Sequence, residues 1–472
     1  MRMEDPRKLA WLQRSLCMAV AGGMAVTLLA GPVLAWSYKE AAEPYRGTTI
    51  RVLDEVTPLQ ETFANMVPEF EEETGIKVEY ELLNHFEVIN KGQADMLSGR
   101  GFYDAVMNHS FQHGLLLDAD VLRPLDDLLA DKELTNPDLD LDDLIDPSFS
   151  TLSSFNGQTY GFLNWNYNVV YWARKDLLEH PDERAAFKAK YGYELKPAKT
   201  MQQVRDIAEF FTREAGEKLA GETLESDFYG IVMEGLNGGT TYETVWYIYI
   251  RNAGGELFND KGEPTIDTPK VIEGIKMWAD LWQFAPPGQA EYSLIDVPTV
   301  MGNGIAAQAV AWSDFVLGID KPGASDYAGQ FTYAATPRNA DNGGRYYSAG
   351  EPSAINISVH SDNPEATYLF LQWAIDKKTQ ARYLDLGKGG VPIRESSWSH
   401  PALTGSRLAD LYEAMRGSLK GVHAAPKAPN FLEIADVLNR VFQQVGIGEL
   451  TPAEGAAKAQ EEVLSICETC IL

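Results

Sequence analysis

Residues 68–80 read Pro-Glu-Phe-Glu-Glu-Glu-Thr-Gly-Ile-Lys-Val-Glu-Tyr, an acidic helix end, a glycine, and a strand with apolar residues at alternate positions. Gly75 is the expected stop, because the left-handed backbone that closes a helix costs glycine nothing. Upstream, Phe63, Val67 and Phe70 share one helical face. Thr57-Pro58-Leu59-Gln60 supplies a capping threonine, a first-turn proline and the glutamine of a capping box. One helix is therefore predicted from Pro58 to Gly75, between strands at Thr49–Leu53 and Ile76–Leu82. Asn84–Ser98 reads as a second helix ending at Gly99, and Asp104–Met107 as a third strand. This alternation calls for an open parallel sheet in an α/β fold. Ligands of such sheets gather at the carboxyl ends of the strands. Asp54 and Glu55, and then Asn108, His109 and Ser110, should face a crevice.

The first 35 residues have the three parts of a secretory signal. Arg2, Arg7, Lys8 and Arg14 precede an uncharged apolar run, Leu16–Leu29, and Val33-Leu34-Ala35 offers a cleavage site after Ala35. The run is shorter than the ~20 residues of a membrane span. Cys17 comes too early in it to carry a lipid. The expected mature chain is exported to the periplasm and soluble. The whole chain holds 40 Lys and Arg against 68 Asp and Glu; without the signal it holds 36 against 66, a net charge of −30. That excess argues against nucleic-acid binding, which needs basic patches to neutralise phosphates. Cys467 and Cys470 remain, and a local disulfide suits an oxidising compartment. At 437 mature residues the chain exceeds one core, so two lobes are expected.

Catalytic motifs are missing. The chain has no Gly-x-Ser-x-Gly elbow, no His-Glu-x-x-His and no phosphate loop. Gly302-Asn303-Gly304-Ile305-Ala306-Ala307 matches a dinucleotide fingerprint by letter, but no clear strand precedes it. Asp138, Asp140 and Asp142 have the spacing of calcium-loop ligands without the glycine or the closing glutamate, and read as a solvated surface. His109 and His113, with His85, form a weak candidate metal set beside apolar Phe111, Leu115 and Leu116. No enzyme activity, no cofactor and no metal are expected.

The aromatic residues say more. Asn164-Trp165-Asn166-Tyr167-Asn168 interleaves an aromatic pair with three amides, and Trp312-Ser313-Asp314 and Trp246-Tyr247 have a similar mix. Sugars present apolar C–H faces ringed by hydroxyls, so their sites combine aromatic platforms with amides and carboxylates. Trp165 and Trp312 are expected as open platforms whose truncation spares the fold. Trp278, Trp282 and Trp373 follow helical apolar spacing and belong to the core.

In this order the segments resemble the extracellular solute-binding proteins of sugar-type ABC importers, the maltose-binding-protein-like family. The resemblance runs through Gly101–Val106, Leu122–Leu128, Asn156–Phe162, Asn252–Phe258, Asn363–Ala366 and Gly390–Arg394. It implies a type II periplasmic binding protein fold, two α/β lobes joined by crossing hinge segments with ligand in the cleft. Lobe 1 would be residues 36–163 and 349–390, and lobe 2 residues 164–348 and 391–472. Hinges would lie near Leu163–Asn166, Tyr347–Glu351 and Lys388–Pro392. The implied ligand is a small sugar or polyol, the implied partner a membrane permease, and the implied state a monomer. Carried over, the ligand-binding positions are Asp54, Glu55, Asn108, Trp165, Asn166, Trp246, Trp312, Asp314, Glu351 and Arg394. Glu351 stands where many members place an aromatic, which implies a hydrogen-bond acceptor there. A secreted carbohydrate-active enzyme and a polyamine or metal receptor are the alternatives.

Overall fold

Seven strands pair into the main sheet of the computed structural model, which describes residues 36–238, 240–339 and 347–472. They are β1 (Thr49–Glu55), β2 (Lys77–Leu83), β3 (Ala105–His109), β4 (Phe162–Arg174), β5 (Gln308–Trp312), β6 (Phe331–Ala335) and β7 (Gly350–Ile357). The stretch expected as an export signal, residues 1–35, lies outside the described residues. Among these, no helix is long and apolar enough to cross a membrane.

The expected parallel core is present: β1 pairs in parallel with both β2 and β3. The local signals between them act as read, with one exception. Thr57 Oγ1 accepts from Gln60 N at 3.1 Å, but the helix breaks after one stretch. It forms α1 (Pro58–Ala64) and α2 (Val67–Thr74) instead of one continuous rod. Pro68 explains the break, since it has no N–H for the ladder and crowds the preceding turn. Gln60 does not close the capping box; its amide reaches Asp54 Oδ2 at 2.7 Å. Gly75 closes α2 in the left-handed conformation as expected. The third helix, α3 (His85–Ser98), is capped by Asn84 and closed by left-handed Gly99. Gly92 lets it press onto the sheet, because a Cβ there would meet Val106 Cγ1 at 2.5 Å.

Phe63 and Phe70 bury their shared face against Phe370 and Trp373 of the helix Pro364–Ile375, with ring centroids 5.2–6.2 Å apart. Each such side chain contributes about 1.5–3 kcal/mol through burial. At the other end, Thr451 and Glu454 form the capping box of the helix Pro452–Ile466, and Cys467 is bonded to Cys470 just beyond it.

Strand β4 joins the two halves of the molecule. Its first half pairs antiparallel with β7, which itself runs antiparallel to β3. Its second half pairs with β5 and β6. One strand thus serves two sets of partners, as a crossing segment between lobes should. The glycine-rich stretch at 302–307 follows a helix (Asp296–Gly302) and precedes β5. That is the reverse of the strand–turn–helix order of a dinucleotide site.

Candidate functional site

Register decides which side chains meet. Ser353 of β7 pairs with His109 on one side and Trp165 on the other, and Glu351 pairs with Tyr167. Side chains in one row share a face of the sheet. His109, Trp165, Tyr167 and Glu351 are therefore brought together. The Trp165 ring lies 5.6 Å from His109 and 5.0 Å from Tyr167, and Phe111 stacks on His109 at 5.1 Å. Trp312 pairs with Val169, two residues beyond Tyr167, and continues the same row.

Glu55, at the end of β1, completes this group. Its Oε2 lies 3.0 Å from His109 Nε2 and 3.1 Å from His85 Nδ1. Burial pushes the Glu55 carboxyl up, but hydrogen bonds from His109 and His85 outweigh it and leave it at about 2. Burial also holds His109 below its ordinary value in spite of Glu55. The two shifts oppose each other: the imidazoles favour the ionised form of Glu55, while burial disfavours the charged form of His109. Glu351 Oε1 accepts from Ser110 N at 2.6 Å and lies 3.8 Å from His109 Nδ1.

Further acids converge from the segments after β4. Asp314, in the first turn of the helix Ser313–Ile319, is pushed up to about 6, chiefly by burial and also by Glu55. Glu243 accepts from the Tyr242 hydroxyl at 2.9 Å. Burial, and then Glu351, raise its carboxyl well above the usual range. Its Oε2, Trp165 Nε1 and His109 Nδ1 are buried without a hydrogen-bond partner among the described residues. Such groups cost about 1–3 kcal/mol each when left unpaired. Their gathering at one place marks a surface shaped for something else to bind.

Other expected positions are not part of this group. Asp54 is fully buried, and its carboxylate is already held by Gln60, Asn164, Tyr80 and the Glu55 N–H. Asn108 lies on the opposite face of β3 from His109 and bonds Asn356 Oδ1 at 3.0 Å, a consequence of strand alternation. Asn166 alternates away from Trp165 and Tyr167 in the same way. Trp246 packs among Tyr247, Phe258 and Phe431. Arg394 is fully buried, and among the described residues its guanidinium bonds only Ile375, Asp140, Leu139 and Asp143. Trp165 and Trp312 are buried too, at 4% and 6% exposure, so neither is an open platform. His113 is turned to Leu152 O, and Glu55 takes its place beside the two other histidines. Sequence reasoning missed Tyr242, Glu243 and Glu234, which lie in segments without a regular period.

Glu234 yields a pH prediction. It is buried, with Trp312 Nε1 at 3.0 Å from one oxygen and the Thr240 hydroxyl on the other. Burial raises it from 4.5 to about 7, against those two bonds. The folded state therefore holds this proton more tightly than the unfolded chain. Its stabilising contribution is full below about pH 4.5 and declines until about pH 7, on the order of 3 kcal/mol in all. Glu234→Gln should flatten that part of the profile. Melting curves at pH 5 and pH 8 check it; a variant that tracks the wild type at both would contradict the assignment.

A family model of bacterial extracellular solute-binding proteins matches residues 55–381. The erythritol/L-threitol-binding protein of Mycolicibacterium smegmatis is 23% identical over 373 residues, which are 74% of this chain and 71% of that one. A probable amino-acid ABC transporter periplasmic-binding protein of Sinorhizobium fredii is 25% identical over 430 residues, 89% of this chain and 90% of its own. Among solved structures, a solute-binding protein of Agrobacterium radiobacter in complex with ribitol superposes with a TM-score of 0.71 at 22% identity. It covers 89% of this chain and 99% of that chain. This likeness extends to the fold.

Proposed function

This chain belongs to the bacterial extracellular solute-binding proteins, and we propose that it captures a small polyol or sugar and delivers it to a membrane permease. The observation that carries this reading is the meeting of Trp165, Tyr167 and Trp312 with Glu351, Glu243 and Asp314, with Trp165 Nε1 and Glu243 Oε2 unpaired among the described residues. The Glu243 and Glu351 carboxyls, which burial raises above the usual range, offer both an O–H and a C=O. A polyol's hydroxyls donate and accept alternately and match that set, while its C–H faces suit the aromatic rings. The erythritol-binding relative and the ribitol-bound structure support the same class. Binding without turnover, action as a monomer and a periplasmic location accompany the reading.

We infer lobes with the boundaries expected from the sequence, with one change. Ile393 O accepts from Ile145 N at 3.0 Å, and Ser396 N donates to Asp143 at 2.9 Å. With Arg394 anchored beside them, the stretch through Ser396 goes with lobe 1. We place the third crossing after it rather than at residue 390. Opening about these crossings would part Glu243 and Asp314 from Glu351 and Glu55.

A thermal-shift panel tests the function. It should hold tetritols, pentitols, hexitols, disaccharides, polyamines and amino acids. A true ligand at a hundred times its Kd should stabilise the protein by about 2.7 kcal/mol. The expected responders are polyols or sugars. A response confined to amines or amino acids would overturn the reading and recast the acids as charge partners.

A further inference from the structure

Glu55, His85 and His109 come from three separate elements: the last residue of β1, the first of α3 and the last of β3. Each offers one ligating atom, and the three atoms lie within 4.8 Å of one another. Zinc bonds to imidazole nitrogen and carboxylate oxygen are about 2.0–2.2 Å long, so neighbouring ligands of a tetrahedral ion sit roughly 3.3 Å apart. Glu55 Oε2 already stands 3.0 Å from His109 Nε2 and 3.1 Å from His85 Nδ1. Both carboxylate–imidazole distances are within a few tenths of an ångström of that spacing, and a metal ion would need the two imidazoles to adjust around it.

The surroundings favour the same occupant. The His109 ring is fixed by Phe111, stacked at 5.1 Å with planes 6° apart, and meets His85 edge-on at 4.8 Å. Its other nitrogen has no hydrogen-bond partner among the described residues and points to Glu351 Oε1, 3.8 Å away. Metal-bound histidines characteristically place a carboxylate at that second nitrogen, where it fixes the ring and strengthens the ligand. Asp314 lies close enough to Glu55 to interact with it. Two imidazoles and one carboxylate suit zinc or a neighbouring first-row divalent ion better than calcium or magnesium, which take oxygen ligands. Three protein ligands leave a fourth position open to water or to a solute.

We propose that Glu55, His85 and His109 bind one divalent transition-metal ion of the zinc type, with Glu351 supporting His109. This site does not depend on the identity of the organic ligand. Without metal, the same residues form a hydrogen-bonded cluster, and the experiment separates the two states. The purified full chain is stripped with a chelator and titrated with zinc sulfate by calorimetry, while bound metal is counted by mass spectrometry and melting is followed. One zinc per chain and a saturable rise in melting temperature are expected.

His85 is one-third exposed, so His85→Ala should fold. It should lose more affinity than the ~10–100-fold typical of losing a supporting partner. Glu351→Gln should fall within that range. Glu55→Gln provides a second ligand variant should His85→Ala melt abnormally. Stripped wild-type protein that takes up no zinc overturns the proposal, and so does uptake that survives both ligand variants. Polyol response measured on the same samples keeps the readings apart: polyol binding without zinc removes only the metal site, and zinc binding without polyol removes only the ligand class.

Discussion

Replacing Arg394 with alanine is expected to lower stability by about 3–5 kcal/mol and to leave ligand affinity unchanged. The guanidinium is fully buried. Nη1 donates to Asp140 O at 2.9 Å and Asp143 Oδ2 at 3.3 Å, Nη2 to Leu139 O at 2.8 Å, and Nε to Ile375 O. It thereby ties an acidic loop to the end of the helix Pro364–Ile375. Truncation strands three carbonyls at once and leaves Asp143, among the described residues, to Ser396 alone for its close hydrogen bonds. Arg394→Lys should recover little, because one ammonium cannot reproduce the planar fork. Urea unfolding beside a binding titration checks this. A variant of normal stability that binds ligand poorly would return Arg394 to the cleft.

Trp278→Ala should cost a similar ~3–5 kcal/mol by opening a cavity in the second half of the molecule. The ring is 1% exposed and packs edge-on against Trp282 at 5.2 Å, with Phe442 at 6.4 Å. Folded Trp278→Ala protein should bind as the wild type does. Trp165→Ala should differ in kind. Its ring is also buried, so some stability is lost, but it touches His109 and Tyr167 in the site row, and affinity should fall with it. Equal binding losses in both variants would show that Trp165 acts only through the fold.

Local signals in this chain were legible because their partners are close in sequence. Asn84 caps α3, Gly75 and Gly99 end helices, and Thr451 bonds Glu454 three residues away. The rule for strand ends likewise singled out Glu55 and His109, which the fold brings together. It could not say which of two adjacent residues faces it, and so Asn108 was expected beside His109. Pairing with β7, some 245 residues later, sets that parity. Gln60 shows the same limit: its capping role was local, but Asp54 and Asn164 claimed its side chain. Trp246 looked like a platform by composition, yet it lies in the π-helical run Thr244–Ile250, where all seven residues are buried. Glu234 and Glu243 carried no motif; only folding brings them to Trp312 and Glu351.

The central claim is that ligand sits on the row formed by Glu351, His109 and Trp165. Calorimetric titration of Glu351→Gln with the polyol that most raises the melting temperature tests it most directly. Glutamine retains a carbonyl oxygen for the Ser110 N–H, so the fold should stand, while the ligand meets an altered partner. A mismatched buried hydrogen bond costs about 1–3 kcal/mol, and affinity should fall roughly tenfold to a hundredfold with the melting temperature of the free protein near wild type. An isotherm indistinguishable from wild type would contradict the account.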